Sequence, residues 1–326
     1  MPPTLSTYPR RVDLGVQIEP QFGFTWPDIL AISRDAEAGG FRTVWLSDHL
    51  FLNKDSVATD CLEAWTALAA LAVSTSRIRL GAMVTCVSYR SPSLLAKIAA
   101  GVDQMSGGRL EFGIGAGWKE VEYRAYGYEF APPKIRVDQL AEALEICTRM
   151  WTQERATYHG MHYRIDDALS SPKPVQQPLP IWIGGRKPRI LRLAAKWAHA
   201  FNWLPDTGFP TAAQVRPAMR ELDDVCRAAG RDPASLKRGV FLYAVIAATR
   251  AEIDTIVAEV AGRTKVAPKE WLAARPGAIV GTPDELRDRF KEYAAAGTQD
   301  ANVMFPYRYE RQMVQLFGAE VLPALR

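Results

Sequence analysis

Asp48 and His49 follow the apolar run Val44-Trp45-Leu46, with Ser47 between. An imidazole, with an ordinary pKa of about 6.5, gives or takes a proton near neutral pH. If that run is a buried strand, His49 lies at its C-terminal end, where parallel α/β barrels keep their chemistry. The plainer reading is a loop histidine satisfied by backbone groups, and position alone does not choose between the two. His159 and His162 lie in a hairpin-like stretch and His199 begins a strand. His49 is therefore the candidate catalytic residue.

Two glycine segments could bring backbone close to a ligand. Gly113-Ile114-Gly115-Ala116-Gly117-Trp118 follows an apolar run. Its spacing is GxGxG, whereas a dinucleotide fingerprint needs GxGxxG opening a helix near the N-terminus. Residues 119–130 read as a loop, which argues against that fingerprint. Gly184-Gly185 precedes Arg186, Lys187 and Pro188, where a helix starts. Exposed N–H groups at a helix start make an anion site, and a phosphate suits one; an ordinary tight turn is the alternative. Trp45, Trp118, Trp182 and Trp203 stand near strands and together could line a pocket for a flat ring system, although each alone reads as core.

These residues need elements to hold them. Strands are expected at residues 12–18, 42–47, 78–84, 110–114, 180–183, 199–203, 239–247 and 301–305. Helices are expected at 26–38, 63–73, 92–105, 135–151, 188–198, 211–229, from about 251, and at 283–296. Gly39-Gly40, Gly107-Gly108 and Gly230 serve as stops and Thr282 as an N-cap. Residues 157–165 read as an added hairpin turning near Gly160. Eight strands each followed by a helix imply class α/β and a closed (β/α)8 TIM-type barrel with insertions. An open doubly wound sheet, the alternative, more often has fewer strands. One domain is expected over 1–326, with residues 1–10 flexible. Four strand ends deserve weight: residues 47–49, 84–86, 113–118 and 184–185.

The bulk composition narrows the function classes. The chain has 326 residues, 48% of them hydrophobic, and a formal net charge of +4. No dense Lys/Arg block offers a nucleic-acid footprint. Cys61, Cys86, Cys147 and Cys226 form no CxxC pair. They suggest no metal site, and they fit buried thiols in a reducing compartment. No run approaches the roughly 18 apolar residues of a membrane span, and no signal peptide is evident. A soluble, cytoplasmic protein without nucleic-acid or membrane partners is expected, acting on a small molecule.

The stretches VWLSDHL (44–50), CLEAWTALAALAVSTSRIRLG (61–81), LLAKIAAGVDQMSGGRLEFGIGAGW (94–118), EVEYRAYGYEF (120–130) and PIWIGG (180–185) together resemble the luciferase-like monooxygenase superfamily. Within it the chain is most similar to the coenzyme F420-dependent oxidoreductases. The resemblance implies that His49 faces the reactive ring of a deazaflavin, with Asp48 beside it. It implies a non-proline cis peptide at Met83-Val84 beneath that ring, with Thr85 following. It implies that Gly115 and Gly117 lie near the cofactor and that Gly184 and Gly185 form its phosphate turn. Trp118 would line the substrate pocket. The family's sugar-phosphate dehydrogenases carry a Glu where Trp118 stands, and an indole cannot protonate the cofactor as that Glu is proposed to do. The implied reaction is hydride transfer from the reduced cofactor to a small organic substrate. An FMN-dependent monooxygenase is the alternative enzyme, because the two cofactors share a ring site. A catalytically inactive cofactor-binding barrel is the non-enzymatic alternative. The resemblance also implies a homodimer.

Overall fold

The computed structural model describes residues 12–206 and 208–325; the expectation for residues 1–10 lies outside them. All eight apolar runs become strands: β1 (Asp13–Ile18), β2 (Thr43–Leu46), β3 (Arg79–Ala82), β4 (Leu110–Gly115), β5 (Ile181–Gly185), β6 (Ala200–Trp203), β7 (Lys237–Ile246) and β8 (Asp300–Met304). Each pairs in parallel with the next, and β8 pairs back onto β1 with Gly15 opposite Asn302. The sheet is thus a closed (β/α)8 barrel rather than an open one.

The two faces of the closed sheet are filled differently. Outward side chains such as Val16, Val44, Leu80, Phe112, Ile183 and Val303 join one continuous apolar layer beneath the helices. Inward positions hold a separate cluster of Trp45, Trp182 and Ala200, with Met83 packed on it. The two indoles meet edge to face, centroids 5.0 Å apart. Gly15 and Gly81 make room for Trp45, since a Cβ on either would stand within 2.8 Å of its ring. At the N-terminal end of the interior, Lys237 Nζ bridges Asp13 at 2.9 Å and Asp300 at 2.6 Å. Glu111 beside them is bound by Arg79 and accepts from Trp182 Nε1 at 2.7 Å. Indoles and a charged floor thus fill the lower barrel, so a ligand is confined to the mouth at the C-terminal strand ends.

The helices of the wall are α1 (Trp26–Gly39), α2 (Ala64–Ser74), α3 (Pro92–Ser106), α4 (Glu120–Ala125), α5 (Pro133–Thr152), α6 (Pro188–Trp197), α7 (Ala212–Ala228), α8 (Arg250–Arg263), α9 (Pro268–Ala273), α10 (Pro283–Ala295), α11 (Glu310–Glu320) and α12 (Leu322–Leu325). Local chemistry sets their ends. Thr25 and Asp28 form a capping box on α1, Thr282 and Glu285 another on α10, and Ser91 caps α3. Gly40 ends α1 at φ 82°, a conformation that glycine adopts freely.

Three details depart from expectation. Residues 119–130 are not all loop, because α4 forms within them; six residues are too few to display a helical period. The strand expected at 78–84 stops at Ala82, the Met83–Val84 peptide is cis, and Thr85–Cys86 then pairs with β4. A short strand, Ile279–Gly281, adds to the upper end of β7, and α9, α11 and α12 extend the barrel wall. The expected hairpin is present as Arg155–His159 against Arg164–Leu169. No helix among the described residues is long and apolar enough to cross a membrane.

Candidate active site

The end of β2 is anchored by Asp48. Its buried carboxylate takes two bonds from Arg90, at 2.8 and 2.9 Å, and one from the Cys86 backbone N–H at 2.9 Å. Arg90 also binds Glu63, whose carboxylate caps α2. Asp48 therefore spends both oxygens on protein partners. What it contributes to a ligand passes through the position of the strand ends it joins.

His49, the next residue, is half-buried. Its Nδ1 lies 2.9 Å from Oε2 of Glu122 on α4. Glu122 is fully buried and collects four further donors: Leu50 N at 2.8 Å, Phe51 N at 3.2 Å, Tyr89 Oη at 2.9 Å and Lys119 Nζ at 3.1 Å. Burial raises the pKa of this carboxyl. The bonds from His49, Leu50 and Tyr89 outweigh burial and bring it down to about 2. An ionised carboxylate only accepts, so Nδ1 of His49 must donate. That assignment leaves Nε2 as the nitrogen available for proton transfer. Glu122 was not singled out from the sequence. It lies 73 residues from His49, and nothing local to either residue signals the contact.

The floor beside His49 is built around Val84. Met83 and Val84 are partly exposed at the end of β3. The Val84 side chain stands between two glycines. A Cβ on Gly115 would lie 2.6 Å from Val84 Cγ2, and one on Gly184 would lie 3.0 Å from Cγ1. The ends of β3, β4 and β5 thus converge on one residue, and Asp48 ties β2 to the same place. Gly117 has φ 72°, and a Cβ there would stand 1.9 Å from the Tyr123 hydroxyl, so only glycine fits. Thr85 is fully buried, and its Oγ1 has no protein partner. Trp118 is 71% exposed and meets His49 edge to face, centroids 5.7 Å apart.

Gly184 and Gly185 end β5 just before α6. No side chain caps α6, and its first turn carries no acidic residue. Pro188 has no N–H and Ile190 N already donates to the Lys187 carbonyl at 2.8 Å, so Arg189 N–H is the first-turn donor left facing an anion. Arg186 and Lys187 beside them pair with Asp206.

The remaining residues weighed from sequence fall elsewhere. Trp45 and Trp182 are buried inside the barrel, so the four tryptophans do not form one aromatic pocket. His159 pairs with Asp166 in the exposed hairpin, and the His199 ring accepts from Ile181 N at the opposite end of the barrel. All four cysteines are free. Among the described residues no group of three His, Cys, Asp or Glu could hold a metal ion.

Comparison with known proteins identifies the family and the fold. The luciferase-like monooxygenase family model matches residues 5–300. The chain is 30% identical over 312 residues to the F420-dependent glucose-6-phosphate dehydrogenase of Microbacterium testaceum, covering 89% of this chain and 91% of that protein. It is 30% identical over 245 residues to the F420-dependent hydroxymycolic acid dehydrogenase of Mycobacterium tuberculosis, covering 75% and 66%. An F420-dependent secondary alcohol dehydrogenase, solved with an F420-acetone adduct, superposes with a TM-score of 0.80. That pair is 20% identical, with 97% of this chain and 99% of the other covered.

Proposed function

Because the chain belongs to the luciferase-like monooxygenase family, we propose that it is a coenzyme F420-dependent oxidoreductase that transfers hydride from the reduced deazaflavin to a small organic acceptor. The residues at the mouth fit such a group. Met83 and Val84 offer an apolar floor, and the bare backbone of Gly115 and Gly184 leaves that floor clear of side chains. Gly184, Gly185, the Arg189 N–H at the start of α6 and the cations Arg186 and Lys187 suit an anionic tail. Asp48, Thr85 and Gly117 act from behind that floor, Asp48 by holding the Cys86 N–H that follows Thr85, and Gly117 by packing against Tyr123 and Cys86. The cofactor, when bound, supplies the hydride chemistry.

The chain's own work is binding, orientation and proton movement. The observation that carries the reading is the His49–Glu122 pair beside the Val84 floor. Glu122 fixes the ring tautomer and stabilises positive charge on the imidazole. Nε2 of His49 gives a proton to the acceptor atom that gains negative charge. Trp118 lines one side of the acceptor's place and shields it from water. Fixed orientation of the acceptor supplies much of the remaining rate.

Titration of the purified protein with oxidised deazaflavin and with FMN, followed by fluorescence, tests this. Saturable binding of the deazaflavin, with FMN weaker by roughly tenfold or more, is expected. The opposite order would return the chain to FMN-dependent monooxygenation. Failure of both to bind would overturn the proposal.

A further inference from the structure

A second hollow lies at the end of the barrel away from His49. Its volume is about 930 Å³, and it is walled by the C-terminal halves of α6 and α7 and the start of β6. Three cations line it, Arg192, Lys196 and Arg231, and no carboxylate does. Arg192 has no hydrogen bond or ion pair among the described residues. Lys196 Nζ overlies the Trp197 ring, 4.8 Å from its centroid, and has no ion pair there either.

That arrangement is costly unless an anion shares it. Arg192 and Lys196 stand four residues apart on α6, so two like charges lie on one side of the helix. A lysine in the last turn offsets the helix dipole, but Arg192 sits in mid-helix and gains little from it. The neighbouring carboxylates are engaged elsewhere, Asp224 with Arg227 and Asp232 with the Ala234 N–H. Glu221, one turn before Val225 on α7, does not line the hollow and forms no ion pair among the described residues.

Open helix-end carbonyls would repel an anion, and here they are covered. Arg231 Nη1 donates to the carbonyls of Ala194, Ala195 and Ala198. The carbonyls that close α7, of Val225, Cys226 and Arg227, accept from the N–H groups of Ala229, Gly230 and Arg231. The other partner of Arg231 is Ser235, so no carboxylate offsets its charge. His199 adds a neutral donor. Its Nδ1 accepts from Ile181 N at 3.1 Å, and burial, helped by the charge of Arg231, holds its pKa below 6.5. Nε2 therefore carries the hydrogen. Trp197, Val225 and Ala228 make the rest of the wall apolar.

We propose that this hollow binds a small organic phosphate of mononucleotide size, its charged head between Arg192 and Lys196 and its body along Val225 and Ala228. The volume falls within the roughly 300–1,000 Å³ of small-molecule sites. Several unpaired cations with an added N–H suit a multiply charged group of several oxygens better than a single carboxylate. The site lies at the start of β6, whereas His49 and Gly184 stand at C-terminal strand ends, so it does not depend on the cofactor reading.

Calorimetric titration of the purified protein with ADP, adenosine and inorganic pyrophosphate, at roughly 0.15 M salt, tests this. ADP is expected to bind roughly tenfold or more tightly than adenosine, which lacks the charge, and about threefold or more tightly than pyrophosphate, which lacks the body. Arg192→Ala with Lys196→Ala is expected to weaken ADP by about tenfold or more, while Arg186→Ala with Lys187→Ala, at the other end of α6, leaves it within about twofold. Absence of saturable ADP binding, or equal binding of ADP and adenosine, overturns the proposal. So does ADP binding lost with Arg186 and Lys187 but kept without Arg192 and Lys196, which would place the nucleotide at the mouth. Arg192 and Lys196 are exposed, so their removal leaves the core untouched. Should the double variant fail to fold, Lys196→Gln alone decides, with ADP weakened about threefold expected and unchanged ADP binding overturning the site.

Discussion

Nδ1 of His49 lies 2.9 Å from a carboxylate oxygen of Glu122, which is wholly buried and held by both backbone and side-chain donors. A histidine on a strand end is thereby given a fixed tautomer by a short helix from another βα connection. In the proposed mechanism the two have separate jobs, with Glu122 orienting and His49 exchanging the proton.

Replacing either member should therefore have different consequences. His49→Ala is expected to lower kcat by roughly 10²–10³. Glu122→Gln keeps the shape but removes the anion, so a smaller loss of about tenfold is expected. Its pH–kcat profile should also move to lower pH, because an imidazolium at His49 loses its counter-charge. Steady-state kinetics across pH checks both; unchanged turnover and unchanged substrate affinity in His49→Ala would remove His49 from the mechanism.

Two buried carboxyls give opposite dependences of stability on pH. Glu122 is held at about 2, below its ordinary 4.5. Its contribution is present above the ordinary value and is lost as pH falls from about 4.5 towards 2. Glu310, buried at the start of α11, is pushed up to about 8 by burial, which outweighs its backbone hydrogen bonds. The folded state holds that proton where the unfolded chain releases it, so stability declines as pH rises from about 4.5 to about 8. Glu310→Gln is expected to raise Tm at pH 8 relative to the parent and to change it less at pH 5. Thermal melts at both pH values check this, and an equal shift at both would contradict it.

The floor predicts an order of sensitivity. A methyl on Gly115 would stand 2.6 Å from Val84, whereas one on Gly184 would stand 3.0 Å away. Gly115→Ala must displace Val84, so its deazaflavin affinity is expected to fall by roughly tenfold or more. Gly184→Ala needs only a small adjustment and should lose less. Titration of both variants, with circular dichroism to establish folding, reads this out; the reverse order would count against Val84 as the floor.

The expected homodimer has a surface suited to it. Leu94, Ile98, Gly101 and Met105 recur on one face of α3 at helical spacing, beside Ala70 and Val73 of α2. Each of these is at least partly exposed, and nothing lies within 4 Å of a Cβ on Gly101. A side chain there is harmless to one chain and obstructive to two packed together. Light scattering is expected to give a dimer for the parent and a monomer for Gly101→Glu. A monomeric parent, or a variant that stays dimeric, would contradict this placement.

The barrel was legible in the chain because parallel strands buried on both faces read as continuous apolar runs, and because Thr282 marks a helix start and Gly39-Gly40, Gly107-Gly108 and Gly230 mark helix stops chemically. The glycine segments were legible for a related reason, since Gly115 and Gly184 stand where a methyl would strike Val84. Glu122 was not legible. Its importance lies in donors gathered from residues 49–51, 89 and 119, and the six-residue helix that carries it is too short to show a period. Trp45 and Trp182 each read as core and are core, but the sequence left a shared aromatic pocket open for a complementary reason. A tryptophan at a strand looks the same whether it points into a filled barrel or lines its mouth, and only the closed sheet separates the two.

A crystal structure of the protein soaked with oxidised deazaflavin tests the central claim most directly. The ring is expected against Val84 between Gly115 and Gly184, its tail at the N-terminus of α6, and His49 Nε2 on the side left open to an acceptor. A ring bound away from Val84, or a His49 turned from it with the Glu122 bond broken, would contradict the mechanism.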